Sequence, residues 1–306
     1  MISKPIHRMI RDLHLDKTSG ASELIEIALE IIKTLLDSIK DDEMDITESI
    51  HELSREFLKV RPSMAPIINT MGYFLHDLQS YTKKNLLERF NGFTQKREGI
   101  EKDLLASFDS FLSKFEGKHL NVMLISYSTT IIKCLKAEKT RDFTFYILEA
   151  RPLLEGRRTA EMLSIDFETH LITDSSMGKF IDLIDFVLLG IDSILKDGSI
   201  VNKIGSHPLA CLATDNNKEV FVVGDSYKYN LKSHYGQEVS VEDKPIYEVY
   251  GKKIKRKSFH VHNYYFDITP SKYINSIISD LGVLSIPEFL EKVVNSIPLE
   301  WFKSFL

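Results

Sequence analysis

Apolar residues recur every three or four positions along the first 120 residues, then in short uninterrupted runs separated by helix-like segments. In the first region Leu24, Ile27, Ala28, Ile31 and Leu35 make one stripe. This predicts an amphipathic helix over residues 21–36, with Ser19 or Ser22 as its N-cap. A second helix, 46–60, ends ahead of Arg61-Pro62, because the residue before proline is driven away from helical geometry. A third opens at Ser63-Met64-Ala65-Pro66 and carries Ile67, Ile68, Met71 and Phe74. A long charged helix within 83–115 carries Leu104, Leu105, Phe108, Phe111 and Leu112 and stops at Glu116-Gly117-Lys118. Beyond residue 120 the runs 122–126, 143–148, 169–173, 186–190, 220–224 and 264–267 predict strands. They alternate with predicted helices at 128–137, 156–163, 176–183, 206–216 and 271–281. Such alternation builds a parallel, doubly wound α/β sheet. The expected organisation is a helical domain over residues 1–119 and an α/β domain over 120–306, with no internal repeat.

Ligands of open α/β sheets bind beyond the carboxyl ends of the strands. The residues that close the predicted strands are polar: Ser126-Tyr127-Ser128, Glu149-Ala150-Arg151-Pro152, Asp174, Asp192, Gly224-Asp225-Ser226 and Asp267. The richest stretch follows the fourth strand. Asp192 comes first, then a polar turn at Lys196-Asp197-Gly198-Ser199, then Asn202 and Lys203 ahead of Ile204-Gly205-Ser206. A carboxylate, an amide and an ammonium in one loop can hold a hydroxylated, phosphorylated small molecule, and helix N-termini pointing the same way favour phosphate. The residues alone equally allow a hydrophilic loop with a capping aspartate. Gly190, Gly198 and Gly205 have the wrong spacing for a dinucleotide fingerprint, and no cofactor is expected.

Composition acts mainly by exclusion. Hydrophobic content of 43% and charged content of 27% belong to a globular protein, and a net charge of −5 gives no sign of a nucleic-acid partner. Cys134 and Cys211 are the two cysteines, both in helix-like apolar surroundings, which excludes a disulfide framework and a cysteine-rich zinc site. His260-Val261-His262 places two imidazoles on one face of a strand but lacks a third ligand, so no metal site is expected. No apolar run reaches membrane-spanning length, and the start, MISKPIHRMIRDL, lacks a signal-peptide core. A cytoplasmic protein with no membrane partner is expected. The run Lys252-Lys253-Ile254-Lys255-Arg256-Lys257 reads as a solvated loop rather than an RNA contact. The connection 225–260 is long enough to be functional or mobile, and would reach across a dimer or flank the pocket.

Three motifs occur in order: Ala150-Arg-Pro-Leu-Leu-Glu-Gly-Arg-Arg-Thr-Ala160, Gly190-Ile-Asp-Ser-Ile-Leu-Lys-Asp-Gly-Ser-Ile-Val-Asn-Lys-Ile-Gly205 and Phe266-Asp-Ile-Thr-Pro270. Together with Arg61-Pro-Ser-Met-Ala65, they resemble one family over nearly the whole chain. It joins the α, β and δ regulatory subunits of translation initiation factor 2B to methylthioribose-1-phosphate isomerase and archaeal ribose-1,5-bisphosphate isomerase. Within it, the chain is most similar to archaeal initiation-factor-2B-like proteins. The resemblance implies an N-terminal helical domain before a Rossmann-like domain with a parallel sheet, and dimers through the C-terminal domain, often built into rings. It also implies a sugar phosphate or AMP-like ligand, and initiation factor 2 subunits as partners. Asp192 matches the catalytic aspartate of the isomerases, and Arg151, Asn202 and Lys203 match substrate-pocket residues. Gly20 lies in the altered phosphate motif Ser19-Gly20-Ala21, where serine stands in the arginine position.

The catalytic cysteine of the isomerases corresponds here to Ser126. A free thiol ionises near a pKa of about 8.5, and surroundings can lower it; an alkanol is a far weaker acid. Losing one proton-transfer group costs on the order of 10² to 10⁴ in rate. Losing an arginine from a phosphate clamp removes a bidentate contact. Cys134, about two helical turns further on, reads as core. Two functions are therefore expected as alternatives. One is a regulatory, interacting subunit that senses a sugar phosphate or nucleotide. The other is a ribose-1,5-bisphosphate-type isomerase in which Asp192 and Ser126 occupy the catalytic positions.

Overall fold

Five helices come first in the computed structural model, which describes residues 2–16, 20–60, 65–115, 117–138, 141–252 and 258–305. They are α1 (Lys4–Leu15), α2 (Ala21–Asp37), α3 (Thr47–Lys59), α4 (Ala65–Leu75) and α5 (Lys83–Ser113). Ser19, residues 61–64, Glu116 and most of the basic run, residues 253–257, lie outside the described residues. α2 buries Leu24, Ile25, Ala28, Ile31, Ile32 and Leu35, a wider face than the predicted stripe, because α1, α4 and α5 all pack against it. Its N-cap is Gly20 rather than Ser22. Glycine brings no capping oxygen, and the bond runs the other way: the Gly20 N–H donates to Glu23 Oε2 at 2.9 Å. Ser22 sits in the first turn, its Oγ 3.3 Å from Thr130 Oγ1. Among the described residues, no helix is long and apolar enough to cross a membrane.

The rest of the chain runs β1 (Leu120–Ile125), α6 (Thr129–Ala137), β2 (Phe143–Leu148), α7 (Glu155–Leu163), β3 (Glu168–Ile172), α8 (Met177–Phe180) and β4 (Phe186–Gly190). It continues with β5 (Ser193–Ile194), β6 (Ile200–Lys203), α9 (Ser206–Asp215), β7 (Glu219–Val223), α10 (Leu231–His234), β8 (Phe266–Thr269), β9 (Ser276–Ser279), β10 (Gly282–Leu284) and α11 (Ile286–Val293). Seven strands form one sheet in the order β10-β9-β7-β4-β1-β2-β3, parallel from β9 to β3 with β10 antiparallel at the edge. This is the expected α/β architecture.

Side chains of period two divide the core between the two faces of the sheet. Met123, Ile125, Val187, Leu189, Val222 and Ile277 join the core that holds the N-terminal helices. Val122, Leu124, Leu188, Phe221, Val223 and Ile278 join the other, with α6 and α7. α5 serves both. Leu86, Phe93 and Ile100 belong to the first core, and Leu104, Phe108, Phe111 and Leu112 to the second. At 31 residues the helix is about 46 Å long, enough to reach past one edge of the sheet.

Several expectations are corrected. Residues 271–281 are not a helix but a 3₁₀ turn, Ser271–Tyr273, followed by β9, which pairs with β10 across a tight turn at Asp280-Leu281, with Gly282 at φ +117° opening β10. Ile274, Ile277, Ile278 and Leu281 fit helical spacing, but a short apolar run fits a buried strand equally well, and the β-branched Ile pair favours it. β9, not the segment 264–267, is therefore the sixth strand of the parallel set. β8 instead joins β6 and β5 in a separate antiparallel sheet. The stretch after β4 is thus a hairpin rather than a loop, turning at Gly198, φ +81°, with Asn202 and Lys203 on a strand. The segment 176–183 is one turn of α-helix between two 3₁₀ turns. His260 and His262 lie in irregular chain rather than on a strand.

Candidate functional site

From β1 the sheet is built outward to β3, then outward the other way through β4, β7 and β9. The order reverses between β1 and β4, and loops leaving their carboxyl ends part around a crevice, where ligands of such sheets bind. A pocket opens there. The β1 end supplies Ser126, Tyr127 and Ser128, and the β4 end supplies Gly190, Ile191 and Asp192. β6 adds Asn202 and Lys203, α7 adds Glu155, and the start of α2 adds Gly20 and Ala21. Lys228, in the turn beyond β7, completes the charged groups.

Local structure aims each part. Ser126 holds a left-handed conformation, φ +68°, at the end of β1, and its carbonyl accepts from Thr159 Oγ1 of α7 at 2.7 Å. Ser128 caps α6, its Oγ accepting from the Ile131 N–H at 3.3 Å. The first turns of α2 and α6 therefore both meet the pocket, through Gly20, Ala21 and Thr129, Thr130. The Asp192 N–H donates to the Val201 carbonyl at 2.9 Å, fastening the β4 exit to β6. Asn202 is buried, with Nδ2 donating to Ser206 Oγ at 3.0 Å.

The charges come as pairs. Lys203 Nζ donates to Glu155 Oε1 at 2.8 Å, and Oε2 lies at the same distance. Lys228 is buried, and burial lowers its pKa from the ordinary lysine value, with the carboxylates of Asp225 and Asp192 acting in the opposite direction. Asp225 also pairs with Arg97 of α5, Nη1 to Oδ2 at 3.0 Å. Burial works against the Arg97 charge, but Asp225, Glu26 and Tyr227 together outweigh it and hold the guanidinium above its usual range. Asn69 of α4 ties down the same turn, with Nδ2 donating to the Tyr227 and Tyr229 carbonyls at 2.6 and 2.7 Å.

Of the residues singled out in the sequence, Ser126, Asp192, Asn202, Lys203 and Gly20 line this one pocket. Arg151 does not. It lines a neighbouring shallow cleft with Asp174, Gly205 and His262, and its Nη2 donates to the Glu248 carbonyl at 3.2 Å. The Asp174 carboxylate accepts from the Ala150 and Arg151 N–H groups at 2.8 and 2.7 Å, which sets that corner of the chain. Asp267 faces Asn202 across β6 and β8 and accepts from the Gly205 and His207 N–H groups at the start of α9. Burial raises its pKa to about 6. Glu155 and Lys228 were not picked out as pocket residues. Lys228 lies three residues beyond Asp225, so extending the strand-end rule by one turn finds it. Glu155 stands inside the arginine-proline motif, and only the fold turns it towards Lys203. Among the described residues no group of histidine, cysteine and carboxylate side chains is placed to hold a metal ion.

Behind the pocket, Asp280 accepts from the Ser226 N–H and Oγ at 2.7 and 2.8 Å. Burial, with the charge of Asp225 adding to it, raises the Asp280 pKa to about 6. The folded state then holds this proton more tightly than the unfolded chain, whose carboxyl has the ordinary value of 3.8. The stability it contributes is present at low pH and is lost as pH rises through about 6. Asp280→Asn keeps a neutral side chain throughout and still accepts from the Ser226 N–H. Its urea midpoint is expected to fall less between pH 4.5 and 7.5 than that of the wild type. Parallel pH curves for the two proteins would contradict this.

A helical N-terminal region over a doubly wound sheet, with a pocket of paired charges at the switch point, defines the class: a Rossmann-like α/β protein. The profile of the Initiation factor 2 subunit family matches residues 18–286, and the chain belongs to that family. It is 28% identical over 290 residues to an eIF-2B subunit 2-like translation initiation factor of Pyrococcus furiosus, covering 94% of this chain and 99% of the other. It is 26% identical over 292 residues to ribose 1,5-bisphosphate isomerase of Methanocaldococcus jannaschii, covering 92% and 91%. The crystal structure of Pyrococcus horikoshii translation initiation factor eIF-2B superposes with a TM-score of 0.79 at 25% identity, covering 94% of this chain and all of that one.

Proposed function

We propose that the chain is a regulatory, interacting subunit of the initiation factor 2B type, holding a phosphorylated sugar or an AMP-like nucleotide in the switch-point pocket. Ser126 carries this reading. By the family resemblance it stands where the isomerases carry a thiol, and it lines the same pocket as Asp192, Asn202, Lys203 and Lys228. Cys134 does not replace the thiol. It lies on α6, buried in the second core, where burial and the nearby Glu101 charge push its pKa up to about 12. Binding groups are kept and a proton-transfer group is weakened, as suits a sensor. In this reading the protein is cytoplasmic and assembles through residues 120–306 as a dimer or a dimer-based ring. Its partners are initiation factor 2 subunits, and residues 1–119 form its N-terminal helical domain.

The second reading is an isomerase of the ribose-1,5-bisphosphate type with Asp192 as general acid and base. Asp192 lining the same pocket as Lys203 and Lys228 favours it. A turnover assay with ribose 1,5-bisphosphate, with and without AMP, separates the two when run beside Asp192→Asn and a co-purification with initiation factor 2 subunits. The regulatory reading expects a thermal shift with sugar phosphate or AMP, partner capture and no ribulose 1,5-bisphosphate. Product formed by the wild type and lost in Asp192→Asn would overturn it in favour of the isomerase.

A further inference from the structure

Two lysines of the switch-point pocket, Lys203 and Lys228, are 3% exposed each. They differ in what holds them. Lys203 Nζ is spent on an ion pair, 2.8 Å from Glu155. Lys228 Nζ makes no hydrogen bond or ion pair among the described residues. Its backbone is fixed instead. The Lys228 N–H donates to the Asp225 carbonyl at 3.0 Å, and Asn69 holds the carbonyls on either side, at Tyr227 and Tyr229. The amine therefore stays at the pocket. A buried ammonium without a partner is costly, and a lysine answers by releasing its proton. Asp225 and Asp192 favour the charged form, while enclosure and the Arg97 guanidinium oppose it, and enclosure prevails. A desolvated lysine beside another cation is the arrangement that turns an amine into a nucleophile for carbonyl carbon.

We propose that Lys228 is a covalent capture site, whose amine condenses with the aldehyde of an open-chain aldose in the pocket to give an imine. The step balances without a co-reactant. Asp192, lining the same pocket, takes one proton from the ammonium. The freed lone pair forms the C–N bond as the carbonyl π bond breaks, and a second N–H proton passes to the oxygen, giving a carbinolamine. Asp192 returns its proton to that hydroxyl, the C–O bond breaks and water leaves. The product is a protonated imine beside the Asp192 carboxylate, with nothing oxidised or reduced. Water reverses each step, so the capture is reversible. The inference adds a bond-forming step to the pocket reading and rests on it only in requiring that an aldose enters.

Reductive trapping tests it on the full chain. The protein is incubated with ribose 5-phosphate and sodium cyanoborohydride, which reduces an imine to a stable secondary amine, and the modified lysines are mapped by peptide mass spectrometry. Thermal shifts with ribose 5-phosphate and with ribitol 5-phosphate, which has no aldehyde, are measured alongside. Lys228 is expected to be modified at least about tenfold faster than the exposed Lys102 and Lys179, because the pocket holds the aldehyde against its amine. Excess ribitol 5-phosphate is expected to protect it. The wild type decides the matter, so no variant has to fold. Thermal shifts with Lys228 modified no faster than Lys102 and Lys179, or with Lys203 modified in its place, overturn the inference and leave the pocket reading standing. Neither a shift nor a modified Lys228 overturns both.

Discussion

Asp225→Ala is expected to lower the unfolding free energy by about 3–5 kcal/mol, the range for breaking a buried ion pair from one side. The carboxylate serves three partners at once. Oδ2 is 3.0 Å from Arg97 Nη1, with the two side chains 7% and 14% exposed, and Oδ1 accepts from the Tyr227 N–H at 3.0 Å. Its charge also offsets the burial of Lys228. Alanine therefore removes the hydrogen-bonded partner of Arg97, leaving it the charge of Glu26, and leaves Lys228 that of Asp192. Arg97→Ala should cost less, because Asp225 keeps Lys228 and the Tyr227 N–H. Asp225→Asn separates the contributions, since the amide oxygen still accepts from Tyr227 while the charge is gone. Guanidinium chloride unfolding of the three variants, checked by urea, should rank them Asp225→Ala, Asp225→Asn, Arg97→Ala from the largest loss to the smallest. A loss below about 1 kcal/mol for Asp225→Ala would mean that the pair is solvated like a surface bridge. Ligand affinity should fall with stability in the two Asp225 variants, because Lys228 belongs to both the network and the pocket.

That network was out of reach of the sequence, and the reason is physical. Arg97 and Asp225 stand 128 residues apart, on a helix and beyond a strand, and nothing local to either marks the other. The strand ends were legible because a buried parallel strand needs an unbroken apolar run, and polar residues can begin only where it leaves the sheet. Phe186–Gly190 followed by Asp192 is such a boundary, and it placed the pocket. The same rule misassigned β8. Phe266–Thr269 shows the same texture whether it pairs with the main sheet or with β6, and pairing partners are not written in a single strand. Arg151 also ends a strand, β2, but that strand lies one place further from the switch point, and its side chain turns to the Glu248 carbonyl. Which strand-end residues reach the pocket depends on strand order and on how each following turn runs, and these are properties of the whole sheet.

Gly156→Ala should be the most damaging single methyl in the α/β part of the chain. A Cβ at this position would lie 1.8 Å from the Leu148 carbonyl oxygen and 3.0 Å from the Glu149 carbonyl carbon. Both obstacles are backbone, so no rotamer change relieves them, and α7 must draw back from the end of β2. The expected loss is about 1–3 kcal/mol or more, as for an overpacked core. Function should suffer beyond stability, because α7 carries two fixed points of the pocket. Glu155 at its first residue holds Lys203, and Thr159 one turn on holds the Ser126 carbonyl. Affinity for ribose 5-phosphate is expected to drop at least about tenfold at a temperature where the variant is still folded. Gly99→Ala supplies the opposing control. It makes the same exchange on the exposed face of α5, with nothing within 4 Å of the added carbon, and should stabilise by about 0.5–1 kcal/mol through helix propensity alone. A Gly156→Ala protein that is destabilised yet binds as the wild type would show that α7 can shift without moving the pocket.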